Sequence, residues 1–583
     1  MAETAADILV ERMVDWGVDL VFGLPGDGIN GVMEALRTRQ SKVRFIQVRH
    51  EEAAAFMACA YAKYTGRLGC CLATSGPGGI HLLNGLYDAK IDQAPVLAIT
   101  GQTYSDLKGS SFQQEVNMTR LFDDVAIYNQ EVINPNQVEM LADEACRRAL
   151  NHRGVAHISF PVDYQDAVPT GKSSMHRREG STNSQWAPTY PKPGDTELQR
   201  AAEILNQARR PVLLVGQGAR GAGAEVIQIA EKLGAPIVKA LLGKEVVPDD
   251  HPLCTGGLGL LGTTPSVLAM EQCDTLLIIG SSFPYMEYLP KPGKARGVQI
   301  DDRADRIGLR YPVEVGLVGD ARQTTADLAA LIHPTESRGF LKNAQKEMKE
   351  WTEFLQKQCS TDSVPIKPQR VAWELSDIVS DDAIISTDTG TITAWIARYF
   401  RLRGTQKFSC SGNLATMAPG LPYAIAAKLA FPGRQSIAFV GDGGFSMLMA
   451  EFLTAVKYEL PIVVVVIKNS TLGMIKWEQM VFLGNPEYGC ELQNLDFAQF
   501  ALACGGLAWT VEKPQDIRPT LERAIQSNKP ALVEVVVDPF EPPMPPKVTA
   551  KQTLHLAEAL VKGEPHRGRI ALTLFRDKVD ERI

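Results

Sequence analysis

Seven residues, Pro461 to Ile467 (PIVVVVI), run without a polar interruption, and no other feature limits the possible folds as sharply. A strand that is apolar at every position must be covered on both faces, the situation of a central strand in a parallel sheet flanked by helices. Upstream, a strand-like QSIAFV leads into Gly441-Asp442-Gly443, a helix-like stretch follows, and the apolar run brings the chain back to Lys468-Asn469. Strand, crossover helix and strand make a parallel unit. Open parallel sheets bind their ligands beyond the carboxyl ends of the strands, so Asp442 and Asn469 are expected at one binding edge.

The same cadence occurs three times, and 583 residues exceed what one core supports. The expectation is an α/β protein of three doubly wound parallel-sheet domains. Residues 1–170 carry the strand-like runs DLVFGL, GCCLATS, PVLAIT and VAHISFPV, and residues 171–192 gather Pro, Gly, Ser and Thr as a linker. Residues 193–338 repeat the pattern with PVLLVGQGARGAG, PIVKAL, DTLLIIGSSFP and ARGVQIDD. A charged helix over 339–364 connects to the third unit, 365–545, and a tail of different character occupies 546–583.

Charge excludes one class of partner. With 60 Lys and Arg against 67 Asp and Glu, the net charge of −7 gives no footprint for nucleic acid. Ten cysteines without a Cys-x-x-Cys pair read as reduced, packed thiols. The opening MAETAADILVERMVDWGV carries acids where a secretory signal carries a basic end, and no run approaches the roughly 18 apolar residues of a membrane span. A cytoplasmic protein is expected.

At the third unit's edge, the glycines of Gly441-Asp442-Gly443 let backbone approach a phosphate, the helix start offers free N–H groups, and Asp442 can hold a hard cation. Taken alone the tripeptide is a tight turn. In its setting the chain resembles the thiamine diphosphate enzyme family, whose magnesium motif is Gly-Asp-Gly, a helix of this length, an apolar strand and Asn-Asn. The resemblance implies thiamine diphosphate held through Mg2+, with Asp442, Asn469 and the Thr471 main-chain carbonyl as metal ligands and Gly441 and Gly443 beside the diphosphate. It also implies a pyrimidine-binding first domain, a central Rossmann-like domain of FAD type and a diphosphate-binding third domain. Lys468 stands where the family has the first asparagine; the change falls on strand-end packing.

A second block, VRHEEAAAFMACAYAKYTG, sets His50, Glu51 and Glu52 at a strand end before an alanine-rich helix. FGLPGDGING before it and SGPGGIHLLNGL after it are glycine-rich turns that let backbone approach a flat ligand. The resemblance assigns Glu51 to the aminopyrimidine ring, with which a carboxyl of raised proton affinity shares a proton, and Leu24, Pro25, Ser75 and Gly76 to the cofactor surround. Glu52 is expected to cap or pack. LATMAPGLPYAIAAKLAFPG resembles the family's apolar wedge and nominates Met417; STDTG resembles a diphosphate-facing turn and nominates Thr389 and Gly390.

Within the family, GSSFQQEVNMTRLF resembles the Phe-Gln-Glu signature of pyruvate oxidases and acetolactate synthases. Alignment on Leu-Phe makes Gln114 the catalytic glutamine and puts Gln113 in the substrate pocket where Phe is usual. In LGMIKWEQ, Met474 and Ile475 would line the substrate pocket and Glu478 would be catalytic. Gly216-x-Gly218-x-x-Gly221 matches a dinucleotide fingerprint by pattern, but Lys239-Ala240 ends the next strand where NAD binding wants an acid. GLGLLG, IIGSSFPY and VQIDDR instead resemble the FAD segments of quinone-reducing pyruvate oxidases. That implies Leu258, Gly259, Leu260 and Leu261, then Gly280, Ser281, Ser282, Phe283 and Pro284, along the flavin, with Asp301 near the ribose or adenine.

The activity implied is oxidative decarboxylation of pyruvate to acetate and CO2, with electrons passing through FAD to a quinone. An acetolactate synthase-type carboligase and a catalytically inactive scaffold are the alternatives. A dimer or tetramer is expected, because relatives build their sites between paired subunits. The tail RGRIALTLFRDKVDERI reads as a helix with Leu572, Phe575, Val579 and Ile583 on one face. It is expected to dock on the body or another subunit, with peripheral membrane contact as the alternative.

Overall fold

The computed structural model describes residues 3–170, 182–547 and 549–582. Three six-stranded sheets organise it, and every strand pair in them is parallel. The first contains β1 (Leu20–Gly23), β2 (Arg44–Gln47), β3 (Gly69–Ala73), β4 (Val96–Gln102), β5 (Ala126–Glu131) and β6 (Val155–Pro161), in the order β2-β1-β3-β4-β6-β5. The central sheet contains β7 (Pro211–Val215), β8 (Ile237–Lys239), β9 (Cys254–Gly257), β10 (Thr275–Ile279), β11 (Arg296–Asp301) and β12 (Val315–Val318), ordered β12-β11-β10-β7-β8-β9. The third contains β13 (Ile384–Thr387), β14 (Lys407–Ser409), β15 (Ser436–Gly441), β16 (Ile462–Lys468), β17 (Leu507–Val511) and β18 (Ala531–Val536), ordered β14-β13-β15-β16-β18-β17.

The first and third sheets therefore share one topology, as their common cadence suggests, while the central sheet has the doubly wound order of a nucleotide-binding domain. In each, the order in which successive strands are added reverses between two neighbouring strands: β1 and β3, β7 and β10, β13 and β15. Crevices open at such points because the crossover helices leave to opposite faces. The apolar run is β16, buried from Ile462 to Ile467 between β15 and β18.

One apolar core spans the first and third sheets. The helix Glu51–Thr65 lies against the helix Gly420–Ala430, and alanines on both let the axes come close while the faces stay dry. The tail forms two helices, Ala550–Val561 and Arg567–Arg582. Ala559 and Ile570 are buried against Trp477, Met480 and Phe540, so the tail docks on the body. Of the apolar face read from the sequence, Leu572 is exposed; the Phe575 and Val579 side chains and Ile583 lie outside the described residues. All ten cysteines are free thiols. Among the described residues no helix is long and apolar enough to cross a membrane.

Candidate active site

At the carboxyl edge of the third sheet, β15 ends at Gly441 and Asp442 begins the helix Asp442–Leu448. The buried Asp442 carboxylate accepts the Gly443 N–H at 2.9 Å and the Ser470 N–H at 2.6 Å. Ser470 reaches it with a left-handed backbone, φ 54°. Burial, opposed by these N–H groups, pushes Asp442 up to about 6. Asn469 Oδ1 accepts the Thr471 N–H at 3.1 Å, so the three residues nominated for a metal stand side by side. A Cβ at Gly443 would lie 3.3 Å from Met417 Cε, and one at Gly473 would lie 3.1 Å from both Asn469 Nδ2 and Thr391 Cγ2. These contacts draw Met417 and the Thr389-Gly390 turn to the same edge. Gly390 has φ 122° and open space where a side chain would be.

The STDTG pattern singles out Thr389 and Gly390 but not Asp388 beside them. Asp388 is buried, accepts the Gly420 N–H at 2.7 Å, and keeps Oδ2 without a hydrogen-bond partner, while burial pushes it up to about 7. A Cβ at Gly444 would stand 2.2 Å from that oxygen, so glycine is required for the helix to pass.

The first sheet gathers its own set. Glu51 is buried at the start of its helix, with Oε2 2.9 Å from His81 Nδ1 and the His50 ring stacked on His81 at 4.5 Å. His50 Nδ1 accepts the Glu52 N–H at 3.2 Å. The close contact of Glu51 with His81 suits proton sharing. Glu52 packs, accepting from Asn84 Nδ2 at 2.6 Å. Ser75 donates to Gln114 Oε1 at 2.8 Å, and a Cβ on Gly76 would be 2.8 Å from the Gln114 carbonyl. Gln114 itself has φ 61°. Leu24 is half-buried and Pro25 exposed on the turn whose Gly26 and Gly28 press on Thr74 and Ser75. Gln113 points to solvent.

Among the described residues Glu51 and Asp442 share no hydrogen-bonding partner. The third unit reaches the first through Glu451, whose buried carboxylate accepts the Arg49 N–H at 2.8 Å and the His50 N–H at 2.9 Å.

A cavity of about 950 Å³ adjoins the central sheet. Leu258, Leu260, Leu261, Gly280, Ser281, Ser282, Phe283, Pro284 and Asp301 all lie on its wall, together with Thr389, Gly390, Met474 and Glu478. Gly259 is not on that wall; its φ of 89° and a Cβ position 3.1 Å from the Phe283 ring make it a packing glycine. Ile475 is exposed and off the wall as well, because the short helix Gly473–Trp477 turns Met474 inward instead. At the β7/β10 switch a Cβ on Gly216 would meet the Gly280 carbonyl at 2.4 Å, which brings the two turns into backbone contact. Ser281 Oγ is buried without a partner, and burial pushes Asp301 up to about 6. Lys239 is buried, and it and Lys244 both pair with Asp249.

Lys468, which departs from the family pattern, and Lys476 both have specific partners. Lys468 pairs with the buried Glu534 of the neighbouring strand β18, and Glu534 also accepts from Thr510 at 3.2 Å. Lys476 turns inward to Glu487 at 2.9 Å, over the Phe540 ring at 4.6 Å.

Comparison with known proteins agrees with this architecture. Family models match residues 3–123 (thiamine pyrophosphate enzyme, N-terminal TPP binding domain), 198–328 (central domain) and 388–535 (C-terminal TPP binding domain). The "Putative thiamine pyrophosphate-containing protein YdaP" of Bacillus subtilis is 43% identical over 560 residues, 96% of each chain. The pyruvate oxidase of Lactiplantibacillus plantarum is 34% identical over 536 residues, 91% of this chain and 88% of its own. The acetolactate synthase large subunit of Corynebacterium glutamicum is 31% identical over 565 residues, 92% of this chain and 87% of its own. With all three domains matched and identities of this size across nearly its full length, the chain belongs to the thiamine pyrophosphate enzyme family and is a thiamine diphosphate-dependent enzyme.

Proposed function

We propose that the protein catalyses oxidative decarboxylation of pyruvate, or a closely related 2-keto acid, to the carboxylic acid and CO2, using thiamine diphosphate, Mg2+ and FAD and passing electrons to a quinone. The observation that carries this reading is the single cavity whose wall joins the glycine turns of the central sheet to Thr389, Gly390, Met474 and Glu478. A long nucleotide cofactor and a small keto acid would occupy adjoining ends of one space. The pyruvate oxidase relative supports the same reading.

The residues fit the groups. Among the described residues Asp442 is a buried carboxylate held by backbone N–H groups with no cationic side chain bonded to it, and Asn469 and Thr471 add oxygen donors beside it; a hard divalent cation suits that set. The close Gly216 and Gly280 turns and the unpartnered Ser281 hydroxyl suit a nucleotide. When bound, thiamine diphosphate supplies the carbon nucleophile and electron sink for decarboxylation, and FAD takes up the two electrons. Glu51 sets Oε2 beside His81 Nδ1, Met417 buttresses the edge against Gly443, and Gln114 and Glu478 present polar groups to the substrate.

We also infer a homo-oligomer, a dimer or tetramer, because the resemblance implies sites built between paired subunits and symmetric assembly is common. Light scattering measures this directly, and an active monomer contradicts it. The membrane surface would be met, if at all, through the tail. Liposome sedimentation with pyruvate decides that.

Purified protein should be yellow, bleach anaerobically with pyruvate and recover colour with a quinone. Persistent colour together with acetolactate formation would replace this reading with carboligation, and no turnover of any 2-keto acid would replace it with a scaffold.

A further inference from the structure

Asp92 lies just after the helix Leu83–Ile91 and is buried where all three domains meet. Its Oδ2 accepts Lys63 Nζ at 2.6 Å and the Gly412 N–H at 2.9 Å, and its Oδ1 accepts the Asn413 N–H at 3.0 Å and Asn413 Nδ2 at 2.6 Å. Its main-chain carbonyl accepts Gln217 Nε2 at 3.0 Å. Lys63 belongs to the helix that Glu51 begins, Gln217 to the glycine turn after β7, and Gly412 and Asn413 to the third domain. Lys63, Asp92, Gln217, Gly412 and Asn413 all line the large cavity.

The segment held by Asp92 continues to Met417. Ala415 and Ala418, on either side of that methionine, have φ of 56° and 84°, the left-handed region that non-glycine residues avoid. Strained backbone of this kind persists only when its surroundings hold it. Here the ties are Asp92 at one end, Asn84 on Thr416 Oγ1 at 3.1 Å in the middle, and Asp388 on the Gly420 N–H at 2.7 Å at the other end. One short segment is therefore cavity wall at Gly412–Asn413 and thiamine-edge packing at Met417.

We propose that Asp92 is a positioning residue that couples the two cofactor sites: nucleotide in the cavity orders the segment 411–418 through Asp92 and Asn413, and the ordered segment sets Met417 for thiamine diphosphate. The proposal rests on the flavin reading above. A ligand that pays part of a shared ordering cost tightens the other ligand, and the factor is the same in both directions.

The test is calorimetric titration of full-length, cofactor-free protein with thiamine diphosphate and Mg2+, without FAD and at saturating FAD, and the reciprocal titration with FAD. FAD should tighten thiamine diphosphate about fivefold or more, with an equal reciprocal factor. Asn413→Ala, which removes only the side-chain tie, and Asp92→Asn should bring the factor close to one. A purely structural Asp92 would lower both affinities and leave their ratio alone, and that result overturns the proposal, as does a wild-type factor of one. Asn413→Ala keeps the test decisive if Asp92→Asn fails to fold. Absence of any FAD binding is a separate outcome: it refutes the flavin reading, and the coupling with it.

Discussion

His81 Nδ1 stands 2.9 Å from Glu51 Oε2, and this contact joins the turn after β3 to the helix that follows β2. If Glu51 shares a proton with the cofactor ring, Glu51→Gln keeps the shape and removes the titrating oxygen. The expected loss in kcat for 2-keto acid decarboxylation is about 10²–10⁴-fold, with thiamine diphosphate affinity nearly retained. His81→Phe should cost less, about tenfold, because it removes a partner of the acid and leaves the acid in place. Steady-state CO2 release and calorimetry measure the two quantities, and a Glu51→Gln enzyme with wild-type kcat would end the assignment.

Asp442 is the only carboxylate among the residues nominated for the metal. Chelation of divalent ions followed by gel filtration should strip thiamine diphosphate from the wild-type protein, and Mg2+ should restore binding. Asp442→Ala should lose the Mg2+-dependent part of the affinity altogether. Equal thiamine diphosphate affinity with and without Mg2+ would show that Asp442 has another task.

Lys468 and Glu534 form an ion pair between neighbouring strands, with Glu534 buried. Removing one partner of a buried pair leaves the other charge uncompensated, so Glu534→Gln should lose about 3 kcal/mol of stability. Lys468→Asn with Glu534→Gln should recover part of it, since the stranded charge is gone. Urea denaturation of Glu534→Gln, Lys468→Asn and the double variant gives the coupling; additive losses would mean the pair contributes nothing.

Asp388 gives the cofactor-free protein a pH dependence. Its ordinary value is 3.8 and burial pushes it up to about 7. Between these limits the unfolded carboxyl has released its proton while the folded one keeps it, so this group lowers stability as pH rises and its effect levels off above the folded value. Asp388→Asn keeps an acceptor for the Gly420 N–H and removes the titration. The variant should match the wild type near pH 4 and exceed it near pH 8 by roughly 4 kcal/mol at most, at 1.36 kcal/mol per unit. Thermal unfolding across that range measures the difference, and parallel curves would show that Asp388 stays charged.

Local pattern accounts for much of what was legible. Unbroken apolarity in Ile462–Ile467 implied a strand covered on both faces, and β16 is one. Glycine turns after β1, β3, β7, β10 and β15 marked the strand ends; a Cβ at Gly216 would stand 2.4 Å from the Gly280 carbonyl and one at Gly26 2.5 Å from the Thr74 side chain, so neither position admits a side chain. The inward face of LGMIKWEQ was harder to read. A short helix continued by a π-helical turn over Glu478–Phe482 exposes Ile475 and buries Lys476, against the hydropathy of both.

Periodicity, turn chemistry and spacing were enough to give the chain three parallel sheets with chemistry-bearing residues at their carboxyl edges, because each of those signals acts over a few neighbouring residues. Tertiary packing set the rest: Asp92 on Asn413 and Glu451 on Arg49 and His50 between domains, and Glu534 on Lys468 between neighbouring strands of the third sheet. Those partners lie tens to hundreds of residues apart, and a buried charge finds its counterpart only after the helices Glu51–Thr65 and Gly420–Ala430 have closed the core that excludes water.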